Sequence, residues 1–246
     1  MYWCLSCSFP TLDFGNGEPE EVVIQRATDG TLGILKACLN SKTVKRVVLT
    51  SSASAVVFNG SGVEMMDEAY WSDVDYIKAS NLPIGPYFIS KTLTEKRALE
   101  FAQEHGLDLV TLTPTYIHGP FICPNMPSSV HISLAMVLGD REHYGLLINT
   151  PMVHIDDVAR AHNFLLEYPE AKGRYICSKD TITIEEMFEF LSAKYPEYSI
   201  PTLECLKDVE GLKTSGKLVD SGFKFRYGLE EMFDGAIQCC KEKGLL

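Results

Sequence analysis

The 246 residues are 46% hydrophobic and 22% charged, a balance that excludes disordered and fibrous classes and supplies a core for one large or two small domains. With 33 acidic against 22 basic side chains the formal charge is -11, so a phosphate-coated polymer is disfavoured as a partner and nucleic-acid binding is not expected. The first ten residues lack a basic flank and no stretch approaches the ~20 apolar residues of a membrane span, so a cytoplasmic protein without membrane insertion is expected.

In chain order, Tyr2 to Ser6 is a candidate strand. Residues 19–39 place Val23, Ala27, Ile34, Leu35 and Cys38 at helical spacing behind Pro19 and two glutamates, which the positive end of a helix dipole favours. "RVVLTSS" predicts a strand buried on both faces and ending in hydroxyls. Residues 85–105 predict a helix stopped by Gly106, and "LDLVTLTP" a strand ended by Pro114. From 121 to 150, Pro124, Pro127 and weak periodicity predict an irregular segment around one helix. "MVHIDDVARAHNFLLEYP" reads as a brief strand, then a helix capped by Asp156 or Asp157. "GRYICS" is a further strand, Thr183 to Glu186 a capping box opening a helix to about Lys194, and "GLEEMFDGAIQCCKEKG" a last helix closed by Gly244. Short apolar runs alternating with long amphipathic ones are what a parallel α/β sheet with helical crossovers produces.

Tyr87 and Lys91 stand four residues apart on a helix, hence on one face. A phenol with a pKa near 10 is a poor acid or base at neutral pH unless a cation stabilises its anion, which Lys91 can do. A surface pair has the same spacing, so the strand end Thr50-Ser51-Ser52 and Pro114-Thr115 matter: in a parallel sheet, ligands sit at the carboxyl ends of strands. No metal is expected, because Cys4-x-x-Cys7 lacks the second pair of ligands that a zinc knuckle needs. His118 and His154 read as structural, and Met65, Met66 and Trp71 as either a pocket wall or core.

The ordered segments "KRVVLTSSASAV", "YFISKTLTEK", "TLTPTYIHGP", "MVHIDDVARAH", "GRYICS" and "FKFRYGLEEMFDGAIQCCKEKG" resemble the extended short-chain dehydrogenase/reductase family. Within it they are similar to the plant group of dihydroflavonol, anthocyanidin and vestitone reductases, with the C-terminal segments leaning toward the last. The resemblance implies an NADPH-dependent reductase of a flavonoid or isoflavonoid ketone. Ser52 would bind the carbonyl, Tyr87 would donate the proton, and Lys91 would lower the pKa of Tyr87 and bond the nicotinamide ribose. Pro114 and Thr115 would lie along the nicotinamide, with Ser51 and Ser8 lining the cofactor path. Where dihydroflavonol reductases read substrate with an Asn, this chain has Val57, which implies an isoflavanone-type or other flavonoid ketone.

The resemblance also implies a Rossmann-like NAD(P)-binding sheet lacking the equivalents of strands 1–3 and their glycine-rich turn, since Glu20 stands where Gly15-x-Gly17 would need its third glycine. The expected organisation is a partial Rossmann-like domain over 1–120 and a substrate-binding region over 121–246, with 152–178 returning to the sheet. The Tyr2 to Ser6 strand would be an apolar edge open to self-association. Two alternatives stay open: a catalytically inactive fragment that binds small molecules or a full-length relative, and an epimerase or dehydratase using the same residues.

Overall fold

A computed structural model describes residues 19–60, 65–81, 84–147, 149–201, 213–214 and 216–246. The expected strand from Tyr2 to Ser6, Ser8, Cys4-x-x-Cys7 and Gly15-x-Gly17 lie outside them. In chain order the elements are α1 Glu20–Ser41, β1 Val47–Thr50, β2 Met65–Met66, α2 Val74–Ala79, α3 Gly85–His105, β3 Leu109–Pro114, β4 Tyr116–His118, α4 Ser128–Ser133, α5 Ala135–Leu138, β5 Thr150–His154, α6 Ile155–Glu167, β6 Gly173–Cys177, β7 Asp180–Ile182, α7 Ile184–Lys194, β8 Lys213–Thr214, α8 Lys217–Asp220 and α9 Leu229–Glu242. Among the described residues no helix is long and apolar enough to cross a membrane.

The chain divides into two compact units, and the first runs to Pro114 and adds Ala159–Cys177 and Ser215–Phe223. Among the described residues its sheet is parallel, in the order β1-β3-β6, with Val47 opposite Leu109 and Thr111 opposite Arg174. All four residues of β1 and all six of β3 are buried, the signature of strands covered on both faces. Leu35 of α1 and Ala98, Phe101 and Ala102 of α3 share a core with Val47, Leu49 and Leu109. Gly106 ends α3 at φ 66°, the left-handed cap expected of a glycine there. Helix α1 runs two residues beyond its expected end because Lys42 itself takes the left-handed cap at φ 55°.

The second unit comprises Thr115–Val158, Ser178–Thr214 and Lys224–Leu246. Here β4 pairs parallel with β5, Tyr116 opposite Met152, and β5 pairs antiparallel with β7. This corrects the expected return of 152–178 to the first sheet: β6 returns, whereas β5 belongs to a separate sheet. The reason lies at the end of β3, where Pro114 lacks the N–H that would extend a ladder and the unit boundary falls, six residues before the expected one. The 121–150 segment holds two short helices and a 3-10 stretch, Arg141–Leu146, where one helix was expected. Leu134, Met136, Leu147, Met187, Leu191 and Phe233 form the centre of this unit's core. The capping box opens α7 as read from sequence, with Thr183 Oγ1 accepting from Glu186 N at 3.1 Å and Glu186 Oε2 from Thr183 N at 2.8 Å.

Asp157 stands in the first turn of α6. Its fully buried carboxylate accepts from the backbone N–H groups of Arg226 and Tyr227 at 3.0–3.2 Å, tying down the loop before α9. Its neighbour β4 is followed by Gly119 at φ 125°, where an added Cβ would sit 2.9 Å from His154 Nε2. His154 is buried and its ring stacks on Tyr227 at 4.2 Å, so it has nowhere to yield. Gly119→Ala is therefore expected to cost roughly 1–3 kcal/mol, read as a lower denaturant midpoint with an unchanged slope; an unchanged midpoint would show that the turn relaxes.

Candidate functional site

Strand β1 runs into Ser51 and Ser52, and the backbone N–H of Ser51 still donates to Leu112 O at 2.7 Å, so the carboxyl ends of β1 and β3 stay in register. Ser52 is extended (φ -156°, ψ 147°) and caps the 3-10 turn Ala53–Ala55. Its Oγ accepts from Ser54 N at 3.2 Å and Ser54 Oγ at 2.9 Å, which orients the hydroxyl.

Helix α3 begins with Gly85 and Pro86, so Tyr87 falls in its first turn and Lys91 one turn later. The roll of the helix is set by Phe88, which stacks on Phe58 at 4.1 Å and buries with Ile77 and Ile89. That roll presents Tyr87 to Ser52, and the two hydroxyls share a hydrogen bond. The Lys91 ammonium lies 5.8 Å from the Tyr87 ring centroid. Two of the three expected catalytic residues are thus hydrogen-bonded at the carboxyl end of β1, and the third is beside them.

The Tyr87 phenol is held above its ordinary pKa of 10.0, chiefly by burial, with the Ser52 hydrogen bond acting in the opposite sense. Withdrawing a phenolate from water outweighs the stabilisation that this hydrogen bond supplies. The phenol is therefore protonated at neutral pH.

The other expected residues are placed as follows. Ser51 is buried and its hydroxyl donates to Glu95 Oε2 at 2.7 Å, which leaves its carbonyl as the group it can offer a ligand. Pro114 is the last residue of β3, opposite Cys177. Thr115 opens the second unit and its Oγ1 donates to Ser178 Oγ at 3.4 Å. A nicotinamide ribose calls for a cation and hydroxyls next to a proton donor, and Lys91, Ser52 and Tyr87 fit that need.

Sequence reasoning missed Glu95, Arg174 and the role of Trp71. Trp71 lies under the Arg174 guanidinium, 3.6 Å from the ring centroid, with Lys96 at 5.1 Å. Also missed was a cluster in the second unit: potential ligand atoms of His131, Asp140 and His143 lie within 4.8 Å of one another. Asp140 Oδ2 is 2.7 Å from both His131 Nε2 and His143 Nδ1, and these bonds hold its carboxyl below the ordinary range. The three residues are spread over 13 positions in an irregular segment, so no spacing signal marks them.

Residues 14–177 match the NAD dependent epimerase/dehydratase family. The chain is 53% identical to vestitone reductase of Medicago sativa over 96% of its own length and 73% of that protein. It is 44% identical to a dihydroflavonol 4-reductase of Callistephus chinensis, again over 96% of its length but 65% of that relative's. Among solved structures, that of vestitone reductase from alfalfa superposes with a TM-score of 0.85 at 51% identity, covering 94% of this chain and 75% of the other.

Proposed function

The chain belongs to the NAD dependent epimerase/dehydratase family, and from that premise we propose that it reduces the ketone of a flavonoid or isoflavonoid substrate to the alcohol with NADPH. The observation that carries the reading is the hydrogen-bonded Ser52–Tyr87 pair with Lys91 beside it, in a chain more than half identical to a vestitone reductase.

In this reading NADPH supplies the hydride. The Ser52 hydroxyl holds the substrate carbonyl oxygen next to the phenol. Tyr87 transfers its proton to that oxygen as negative charge develops on it, which is general acid catalysis at the atom that most needs stabilisation. Burial favours this direction, since it keeps Tyr87 protonated. Lys91 stabilises the phenolate left behind and bonds the ribose. Pro114 and the Thr115 that follows it are proposed to lie along the nicotinamide, with Ser51 contributing its carbonyl. Val57, five residues after Ser52, places an apolar side chain where a substrate-reading amide would otherwise stand, which favours an isoflavanone-type ketone over a dihydroflavonol.

Purified chain incubated with NADPH and either an isoflavanone-type ketone or a dihydroflavonol is expected to consume NADPH and form the alcohol in equal amounts, faster with the former. NADPH that binds by calorimetry but is consumed with neither ketone would reject the substrate class. Failure to bind NADPH at all would favour the inactive alternative.

A further inference from the structure

We propose that Glu95 is a positioning residue for this site, a buried carboxylate that locks the strand end carrying Ser52 to the helix carrying Tyr87 and Lys91. The inference rests on the functional reading above and deepens it.

Tyr87, Lys91 and Glu95 follow one another at intervals of four on α3, so they share a face with a drift of about 40° per step. Glu95 is 1% exposed. Its Oε2 accepts from Ser51 Oγ at 2.7 Å and Arg174 Nη2 at 3.1 Å, and its Oε1 from Thr111 Oγ1 at 2.6 Å and Arg174 Nε at 3.0 Å. A carboxylate has about four acceptor positions, and all are used. The donors come from β3, from β6 and from the residue after β1, so one side chain of the helix ties both of those strands to the segment that follows β1.

Arg174 is fixed in turn. Its Nη1 donates to the carbonyls of Glu68 and Tyr70, its Nη2 reaches Ala55 O at 3.4 Å, and its plane rests on Trp71. A buried ion pair is a weak stabiliser, because removing two charges from water offsets most of their attraction and apolar residues of equal volume often serve as well. What such a pair does supply is orientation. Here it orients the peptide that leads into Ser52: Ser51 is held through its side chain by Glu95 and through its N–H by Leu112, which leaves the Ser52 hydroxyl little freedom to turn from Tyr87.

Two variants test this, Ser51→Ala and Glu95→Gln. Ser51→Ala removes a single hydrogen bond and keeps the Glu95–Arg174 pair, so it decides the matter if Glu95→Gln does not fold. The expected result is a kcat lower by about 10- to 100-fold, the scale of a small misplacement of reacting groups, with KM for the ketone nearly unchanged. In a Tyr87→Phe background the same substitutions are expected to add little further loss, because they act through the pair that is already broken. Effects that multiply with Tyr87→Phe, or an unchanged kcat, would overturn the proposal. Independently of activity, the ring-carbon NMR signal of Tyr87, assigned by its loss in Tyr87→Phe, is expected to shift in Ser51→Ala as the Ser52 hydrogen bond loosens. If the wild type reduces no ketone, the functional reading fails, and this signal still decides for or against the positioning role by moving or staying in place.

Discussion

Replacing Tyr87 by Phe is expected to lower kcat for ketone reduction by about 10²- to 10⁴-fold, the usual contribution of a positioned general acid, with KM for the ketone little altered. Only the phenol oxygen is lost. The ring remains beside Phe88, at 5.9 Å between centroids, within the cluster of Ile77, Phe88 and Ile89, so near-ultraviolet circular dichroism and the unfolding midpoint should stay close to wild type. The pH dependence carries a second signature. Because Tyr87 is held above its ordinary value of 10.0, the donor form persists through neutral pH and reduction should be insensitive to this group there. Alcohol oxidation needs the phenolate, so its rate should climb with pH up to and beyond about 10. A Tyr87→Phe enzyme with wild-type kcat would remove the phenol from the mechanism and leave Ser52 and Lys91 to be reassigned.

Acidification is expected to destabilise the second unit by an amount that one residue dominates. His118 is fully buried, faces Phe233 edge-on at 4.5 Å, and has no hydrogen-bond partner for either ring nitrogen among the described residues. Burial first, and the neighbouring His154 second, lower its pKa from 6.5 to about 3. The folded chain thus keeps the ring neutral while the unfolded chain takes up a proton below pH 6.5. Stability is fully present above that pH, falls by about 1.4 kcal/mol per pH unit below it, and stops falling near pH 3, for a total of about 5 kcal/mol. Burial lowers the pKa of His154 as well, and its effect has the same sign. Urea unfolding between pH 7.5 and 4.5 should show this loss in the wild type, while His118→Leu should be less acid-sensitive by about 3 kcal/mol at pH 4.5. Parallel pH profiles for the two proteins would mean that the ring finds a proton-tolerant environment on folding.

Features that depend on neighbours within a turn or two were legible in the sequence. The glycine that ends α3, the reciprocal bonds of Thr183 and Glu186, and the unbroken apolar runs of β1 and β3 are local choices, and local geometry is what periodicity and capping report. The candidate site was legible in part for the same reason: the spacing of Tyr87 and Lys91 is helical, and Ser52 ends a strand that the sequence marks plainly.

Other features join residues far apart in the chain, and no local signal announces them. Glu95 reads as an ordinary charged helix residue, yet it meets Arg174 79 positions away. Asp157 reads as a helix-start residue, yet it also holds a loop 69 positions downstream. The second sheet depends on β4 finding β5 and not the strands before it. Sequence by itself thus determined the family and the main elements, because each is written in adjacent residues. The tertiary structure decided which hydroxyl faces the phenol, which charges are buried together and where one sheet stops, because burial and hydrogen bonding between distant segments set those outcomes.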